Sequence, residues 1–403
     1  MANALQQLAE AGVSVWLDDL SRARIQSGEL AGMVEHGGVV GITTNPTIFA
    51  KAIGAGSGYE EQVRDLALRG TAIGETVRLL TAWDVRAACD VLQPAAARTG
   101  GRDGRVSIEV DPRIAQDAMR TAAEARGLWW LVDRPNLFIK IPATLAGLPA
   151  ITETLAAGIS VNVTLIFSVE RYRAVLEAFF AGLEQRLAAD GSLDGLESVA
   201  SFFVSRIDVE IDRQLDAMVQ DGSTEAGRLR GKAATANAQL AYEVYEQARA
   251  SPRWQALQAQ GGRMQRLLWA STGVKDKSYN DTRYVVDLAA PDTVNTMPAS
   301  TLQAVADHGQ PYGNAIAGTY EAARAVFREL QQVGIDFEEV VNGLEQVGLA
   351  SFAKSWDELI ASVTSQLGKA GAEVMPAGAV KPAGMDEQAG VAPASAAPRE
   401  TAA

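Results

Sequence analysis

Eight short runs of β-branched and apolar residues recur along this chain. Most are separated by stretches of helical periodicity. The runs are 13–18 (VSVWLD), 39–43 (VVGIT), 105–110 (RVSIEV), 136–141 (NLFIKI), 159–165 (ISVNVTL), 199–204 (VASFFV), 267–271 (LLWAS) and 293–297 (TVNTM). Runs of this length and composition read as strands. Helical patterns fall at 59–68, 72–92, 114–125, 169–187 and 206–218, with an alanine-rich helical stretch over 226–258. Alternation of this kind predicts an α/β fold with a parallel sheet, and eight units predict a (β/α)8 TIM barrel with extra helices. The competing architecture is an open doubly wound sheet. No glycine fingerprint follows the first strand to support it. Gly54-Ala55-Gly56-Ser57-Gly58 follows a helix-like stretch instead, and reads as a flexible loop.

The domain organisation follows from a change of character near the C-terminus. Residues 1–369 form one expected barrel domain. Residues 370–403 are rich in Ala, Pro and Gly with few large apolar side chains, and are expected to be a disordered tail. Of the 403 residues, 47% are hydrophobic and 21% charged, as in a globular protein with a sizeable core. A net charge of −13 argues against nucleic-acid or anionic-membrane partners, while leaving room for a small phosphorylated ligand in a local cationic pocket. No run has the length of a membrane span, and the N-terminus lacks the pattern of a signal peptide, so a cytoplasmic location is expected. The Asn162-Val163-Thr164 sequon lies within an expected buried strand and reads as accidental.

Cys89 is the single cysteine, which excludes an intrachain disulfide and a cysteine zinc cluster. His36 and His308 are the only histidines, and both read as helix-end residues beside glycines. Chemistry in this chain therefore falls to carboxylates and lysine, with no metal expected. Lys140 is the most pointed candidate. It sits in an apolar strand closed by Pro142, where an ammonium is expensive to bury. Burial favours the free amine of a lysine, which is what Schiff-base chemistry with a carbonyl requires. A lysine that snorkels out of the strand end, or that pairs with a nearby carboxylate, fits the same segment.

In a (β/α)8 barrel the reacting groups sit at the C-terminal ends of the strands. Those ends here carry Asp18-Asp19, Thr43-Thr44-Asn45, Glu109, Lys140, Asn162 with Thr164, Ser201 followed by Ser205-Arg206, and Ser271 with Lys275 just beyond. Alternation puts Ser107 and Glu109 on one face of their strand, and Asn162 and Thr164 on one face of theirs. Asp19 falls on the face opposite Asp18. Several polar strand ends converging on one mouth are harder to explain as structural pairing than a single buried ion pair.

These residues resemble transaldolase. The matching segments are Trp16-Leu17-Asp18-Asp19, Thr43-Thr44-Asn45-Pro46-Thr47, Val106-Ser107-Ile108-Glu109-Val110-Asp111, Lys140-Ile141-Pro142-Ala143-Thr144, Asn162-Val163-Thr164-Leu165-Ile166-Phe167 and Ser201-Phe202-Phe203-Val204-Ser205-Arg206. The resemblance runs in one order over residues 13–367. The segment Trp269-Ala270-Ser271-Thr272-Gly273-Val274-Lys275 is similar to the longer bacterial branch of that family, some of whose members are fused to a phosphoglucose isomerase domain for which this chain is too short.

The resemblance implies a transferase of the non-oxidative pentose phosphate pathway. A dihydroxyacetone unit would pass from sedoheptulose 7-phosphate or fructose 6-phosphate to glyceraldehyde 3-phosphate or erythrose 4-phosphate. It implies Lys140 as the Schiff-base amine, Glu109 as acid and base through a water held with Thr164, and Asp18 as base for the C4 hydroxyl. Asn45, Asn162 and Ser201 would bind substrate hydroxyls, although a strand-end cap is the alternative for either amide. Arg206 matches the phosphate arginine. Where family members commonly carry a second arginine, this chain offers Lys275 with Ser271. No cofactor is implied. Two other readings fit parts of the pattern: an aldolase that releases free dihydroxyacetone, and a sugar-phosphate-binding barrel without turnover. The helical segment 351–366 lies where it could fold over the barrel mouth.

Overall fold

The computed structural model describes residues 3–374. Eight parallel strands close on themselves in sequence order. They are β1 Val13–Leu17, β2 Gly41–Ile42, β3 Arg105–Glu109, β4 Leu137–Pro142, β5 Val161–Ile166, β6 Ser198–Phe203, β7 Arg266–Ala270 and β8 Thr293–Met297. β8 returns to β1 over five paired positions, from Val13–Thr293 to Leu17–Met297. The barrel is thus the architecture the strand pattern predicts.

β2 is shorter than its sequence run. Hydrogen bonds to β1 nevertheless continue on both sides of it, from Val40 N to Val15 O and from Thr43 N to Leu17 O. Within it, Gly41 packs under Trp16 of β1. A Cβ there would stand 2.4 Å from the indole of Trp16, so glycine lets that ring lie flat against β2. Other boundaries also move. The helix expected at 114–125 resolves into a short 3-10 turn, Pro112–Ile114, and a helix Ala118–Val132 capped by Asp117. The alanine-rich stretch divides into Thr224–Leu229, Ala233–Arg249 and Pro252–Ala259. Ser251 caps the last of these and Pro252 occupies its first turn, a start signal that interrupts the continuous pattern.

Interior side chains form layers. At the base, Arg105 and Arg266 are both almost fully buried. Arg266 donates to Ser14 Oγ at 2.7 Å and Asp103 Oδ1 at 3.1 Å, and Arg105 donates to the carbonyls of Pro135 and Gly195, each at 3.1 Å. Above this polar plug lie Trp16 and Phe138, ring centroids 6.0 Å apart. Each stands two residues before a polar residue of the mouth, Asp18 and Lys140, and so shares its face. The plug and the aromatic layer together seal the floor beneath the mouth.

β5 bulges after Val163, and Leu165 takes a φ of 60°, uncommon for a branched side chain. The bulge turns Leu165 toward the last helix, Phe337–Val374, where it meets Gly348. That helix lies across the C-terminal end of the barrel, as the position of segment 351–366 allowed. It continues past the boundary expected at 369–370, and the remainder of the expected tail, 375–403, lies outside the described residues. The Gly54–Gly58 cluster links two helices, Pro46–Gly54 and Glu60–Leu68. No helix among the described residues is long and apolar enough to cross a membrane.

Candidate active site

Register places the central residues side by side. Glu109 on β3 pairs with Lys140 on β4, and Lys140 pairs with Asn162 on β5. Strand alternation then points all three into the barrel at one level. Lys140 Nζ stands 3.2 Å from Glu109 Oε2 and donates to Thr44 O at 3.1 Å. Lys140 is 4% exposed and Glu109 5%, so the pair lies buried rather than snorkelling to solvent. Of the sequence readings of Lys140, pairing with a nearby carboxylate is the one this contact shows.

Burial pushes the Glu109 carboxyl up from its ordinary value to about 7, against the opposing pull of Lys140. Near neutral pH it is therefore divided between acid and base, which suits a group that must do both jobs. Glu109 Oε2 faces Lys140 Nζ, whereas its Oε1 and the buried Thr164 hydroxyl have no hydrogen-bond partner among the described residues. Thr164 is level with Pro142, just beyond Lys140 on the neighbouring strand.

Asp18 accepts a 2.7 Å hydrogen bond from Thr43 Oγ1, and the Thr43 and Thr296 hydroxyls are 2.6 Å apart. Burial raises the Asp18 carboxyl above its ordinary value, opposed by Lys140 and Thr43, which favour the charged form. Asp19 faces away and pairs with Arg24 at 3.1 Å. Alternation thus separates the two neighbouring aspartates as expected.

Three further polar residues form a chain across the barrel. Ser201 Oγ donates to Asn162 Oδ1 at 2.7 Å, and Asn162 Nδ2 donates to Ser107 Oγ at 3.0 Å. Asn45 has a structural duty that sequence could only offer as an alternative: its side-chain oxygen caps the helix Pro46–Gly54 by accepting from Ile48 N at 3.0 Å. Its amide nitrogen is left for other partners.

The cationic candidates lie on the β6–β7 side. Arg206 is half-buried, with its guanidinium 5.4 Å from the Phe203 ring centroid, and burial lowers its pKa. The hydroxyls of Ser205 and Ser271 are 3.0 Å apart, which joins the ends of β6 and β7 beside Arg206. Ser271 has a φ of 56°. Lys275 is exposed and stands outside the buried set. Its Nζ lies 3.9 Å from where a Cβ on Gly273 would be, so the side chain doubles back toward the end of β7.

Sequence reasoning missed Phe352. This buried ring on the C-terminal helix stands with its centroid 5.4 Å from Lys140 Nζ. The histidines lie where expected, at helix ends: His36 follows Glu29–Glu35 and His308 closes Ala299–His308. Among the described residues, no group of three or more His, Cys, Asp or Glu side chains could hold a metal ion.

A buried lysine–carboxylate pair, a second buried carboxylate and two side-chain amides at the C-terminal mouth of a (β/α)8 barrel are the equipment of an aldolase-type enzyme. Residues 15–363 match the family model described as transaldolase/fructose-6-phosphate aldolase. Among similar proteins, a transaldolase of Thermobifida fusca is 58% identical over 91% of this chain and 99% of its own length. A transaldolase of Frankia alni is 57% identical over 93% of this chain and all of its own. A protein of Streptomyces coelicolor named transaldolase 1 is 58% identical over 92% and 97%. The chain belongs to the transaldolase/fructose-6-phosphate aldolase family.

Proposed function

We propose that this protein is a transaldolase acting through a Schiff base on Lys140. The buried contact between Lys140 Nζ and Glu109, 3.2 Å at the barrel mouth, carries the reading. The donor is a ketose phosphate, sedoheptulose 7-phosphate or fructose 6-phosphate. The Lys140 amine adds to its C2 carbonyl to give a carbinolamine. Glu109, with a water held by Thr164, supplies the proton with which the C2 hydroxyl departs as water, leaving an iminium. Asp18 takes the C4 hydroxyl proton, the C3–C4 bond breaks, and its electron pair flows into the iminium to form an enamine. The aldose phosphate leaves.

The three-carbon fragment remaining on Lys140 then attacks the aldehyde of glyceraldehyde 3-phosphate or erythrose 4-phosphate. Asp18 returns its proton to the new alkoxide, and hydrolysis frees the product ketose. The iminium is itself the electron sink, so the reading calls for no cofactor. Asn162 and Ser201 are suited to the donor's hydroxyls by their shared hydrogen-bond chain, and Asn45 by its uncommitted amide nitrogen. Arg206 would take the phosphate, with Ser271 and the returning Lys275 beside it. A place in the non-oxidative pentose phosphate pathway and a cytoplasmic location go with this assignment.

Borohydride reduction of the protein with fructose 6-phosphate tests it. The expected product is a three-carbon adduct on Lys140 by peptide mass spectrometry, absent in Lys140→Ala. An unlabelled Lys140, or undiminished turnover in that variant, would sink the assignment. Addition of erythrose 4-phosphate should yield sedoheptulose 7-phosphate; release of free dihydroxyacetone alone would mark a simple aldolase instead.

A further inference from the structure

Phe352 meets the reacting nitrogen from above, where Glu109 and Thr44 meet it from the strands. Its helix is fastened around the mouth. Glu345 pairs with Arg171 at 2.9 Å beyond β5, and Gly348 packs on Leu165 and Phe167. Ser355 Oγ and Thr47 Oγ1 are 2.8 Å apart beyond β2, while Asp357 reaches Arg113 at 3.4 Å beyond β3. Phe352 and Ser355 are three residues apart on one helical face, so the fastening at Thr47 fixes the ring as well. The aromatic face is therefore held against Lys140 from three directions, and a ring face attracts a cationic nitrogen.

The enamine has two fates. Its nucleophilic carbon can attack the acceptor aldehyde, forming the carbon–carbon bond. Alternatively that carbon takes a proton from water, a second water adds to the resulting iminium carbon, and the carbon–nitrogen bond breaks to release free dihydroxyacetone and the lysine amine. Both routes end with water adding to an iminium, but only the second needs water to protonate the nucleophilic carbon before an acceptor arrives. An apolar ring over the nitrogen withholds that water, as closed active sites do for reactive intermediates.

We infer that Phe352 is a positioning residue whose ring shields the Lys140-bound fragment from water and so sets the ratio of transfer to hydrolysis. This rests on the Schiff-base reading above. The test measures sedoheptulose 7-phosphate formed from fructose 6-phosphate and erythrose 4-phosphate, against dihydroxyacetone released without acceptor. In Phe352→Ala the hydrolysis-to-transfer ratio should rise about tenfold. Phe352→Gln, which keeps bulk and helix propensity but brings a water-binding head group, should raise it similarly even if the alanine variant folds poorly. Phe352→Leu, still apolar, should keep the ratio within about threefold of the parent.

A merely structural role would lower both rates together, so an unchanged ratio in the folded alanine or glutamine variant overturns the inference. The same holds if leucine and glutamine shift the ratio equally. Failure of the underlying reading is distinguishable, because it would appear in the parent protein as no borohydride-trapped adduct on Lys140.

Discussion

Glu109 and Lys140 occupy paired positions on adjacent strands, and their charged ends meet 3.2 Å apart in a site closed from below by Trp16 and Phe138. Burial holds the Glu109 carboxyl at about 7 instead of 4.5. Between those values the native protein keeps a proton that the unfolded chain has released. The group's contribution to stability is thus full below the unfolded value and is lost as pH rises through the folded one. Glu109→Gln should therefore gain stability relative to the parent on going from about pH 5 to about pH 8, read as the difference in melting temperature. In the parent, kcat/KM should inflect near pH 7, the value set by this carboxyl. Glu109→Gln should lose both most of its activity and that inflection.

Asp18 takes no part in forming the Schiff base in the proposed mechanism. In Asp18→Asn, borohydride should trap the intact six-carbon donor on Lys140 rather than the three-carbon fragment, because cleavage stalls while imine formation continues. Equal yields of the three-carbon adduct in parent and variant would show that another group accepts the C4 proton. Thr43→Val should move in the same direction more weakly, since it removes the 2.7 Å hydrogen bond that favours the charged carboxylate.

The two cations near β6 and β7 should differ in weight. Arg206 is half-buried, so the phosphate contact proposed for it would be partly shielded from water, whereas Lys275 is exposed. Arg206→Ala should raise KM for fructose 6-phosphate by about 10–100-fold, the equivalent of a hydrogen-bonded charge pair. Lys275→Ala should change it by no more than about fivefold, as for an exposed ion pair. Steady-state kinetics with unphosphorylated fructose provides the control. Both variants should match the parent there.

A fourth expectation concerns stability alone. Arg22, just after β1, is buried between the rings of Tyr59 and Trp83 and donates from Nε to Asp84 Oδ1 at 2.7 Å. Tyr59 donates to the other oxygen of Asp84 at 2.6 Å. Asp84→Ala leaves a buried guanidinium without its counter-charge and should cost about 3–5 kcal/mol in chemical denaturation. A change below about 1 kcal/mol would mean that the cluster relaxes to solvent.

The barrel and its polar rim were legible because both depend on local pattern. β-branched runs mark strands, and the rim is read from where each run ends. Period-two alternation separated Asp18 from Asp19 and aligned Asn162 with Thr164. What escaped depends on distant packing or on competition between roles. Phe352 reads as one more apolar position in a long helix, and its contact with Lys140 spans more than two hundred residues of sequence. Asn45 suits a cap and a substrate contact equally, and only the position of Ile48 N shows that the first is in use. The fit of the Trp16 ring on Gly41 of the neighbouring strand is likewise a matter of distant packing.

The guanidinium plug at the base of the barrel has a consequence for the order of events. Arg105 and Arg266 fill the far end, so the barrel gives no passage through its base. In the proposed mechanism the aldose would therefore leave by the mouth through which the aldehyde enters, and the two half-reactions would take turns. Double-reciprocal plots at several fixed acceptor concentrations should run parallel, the kinetic mark of traffic in one lane.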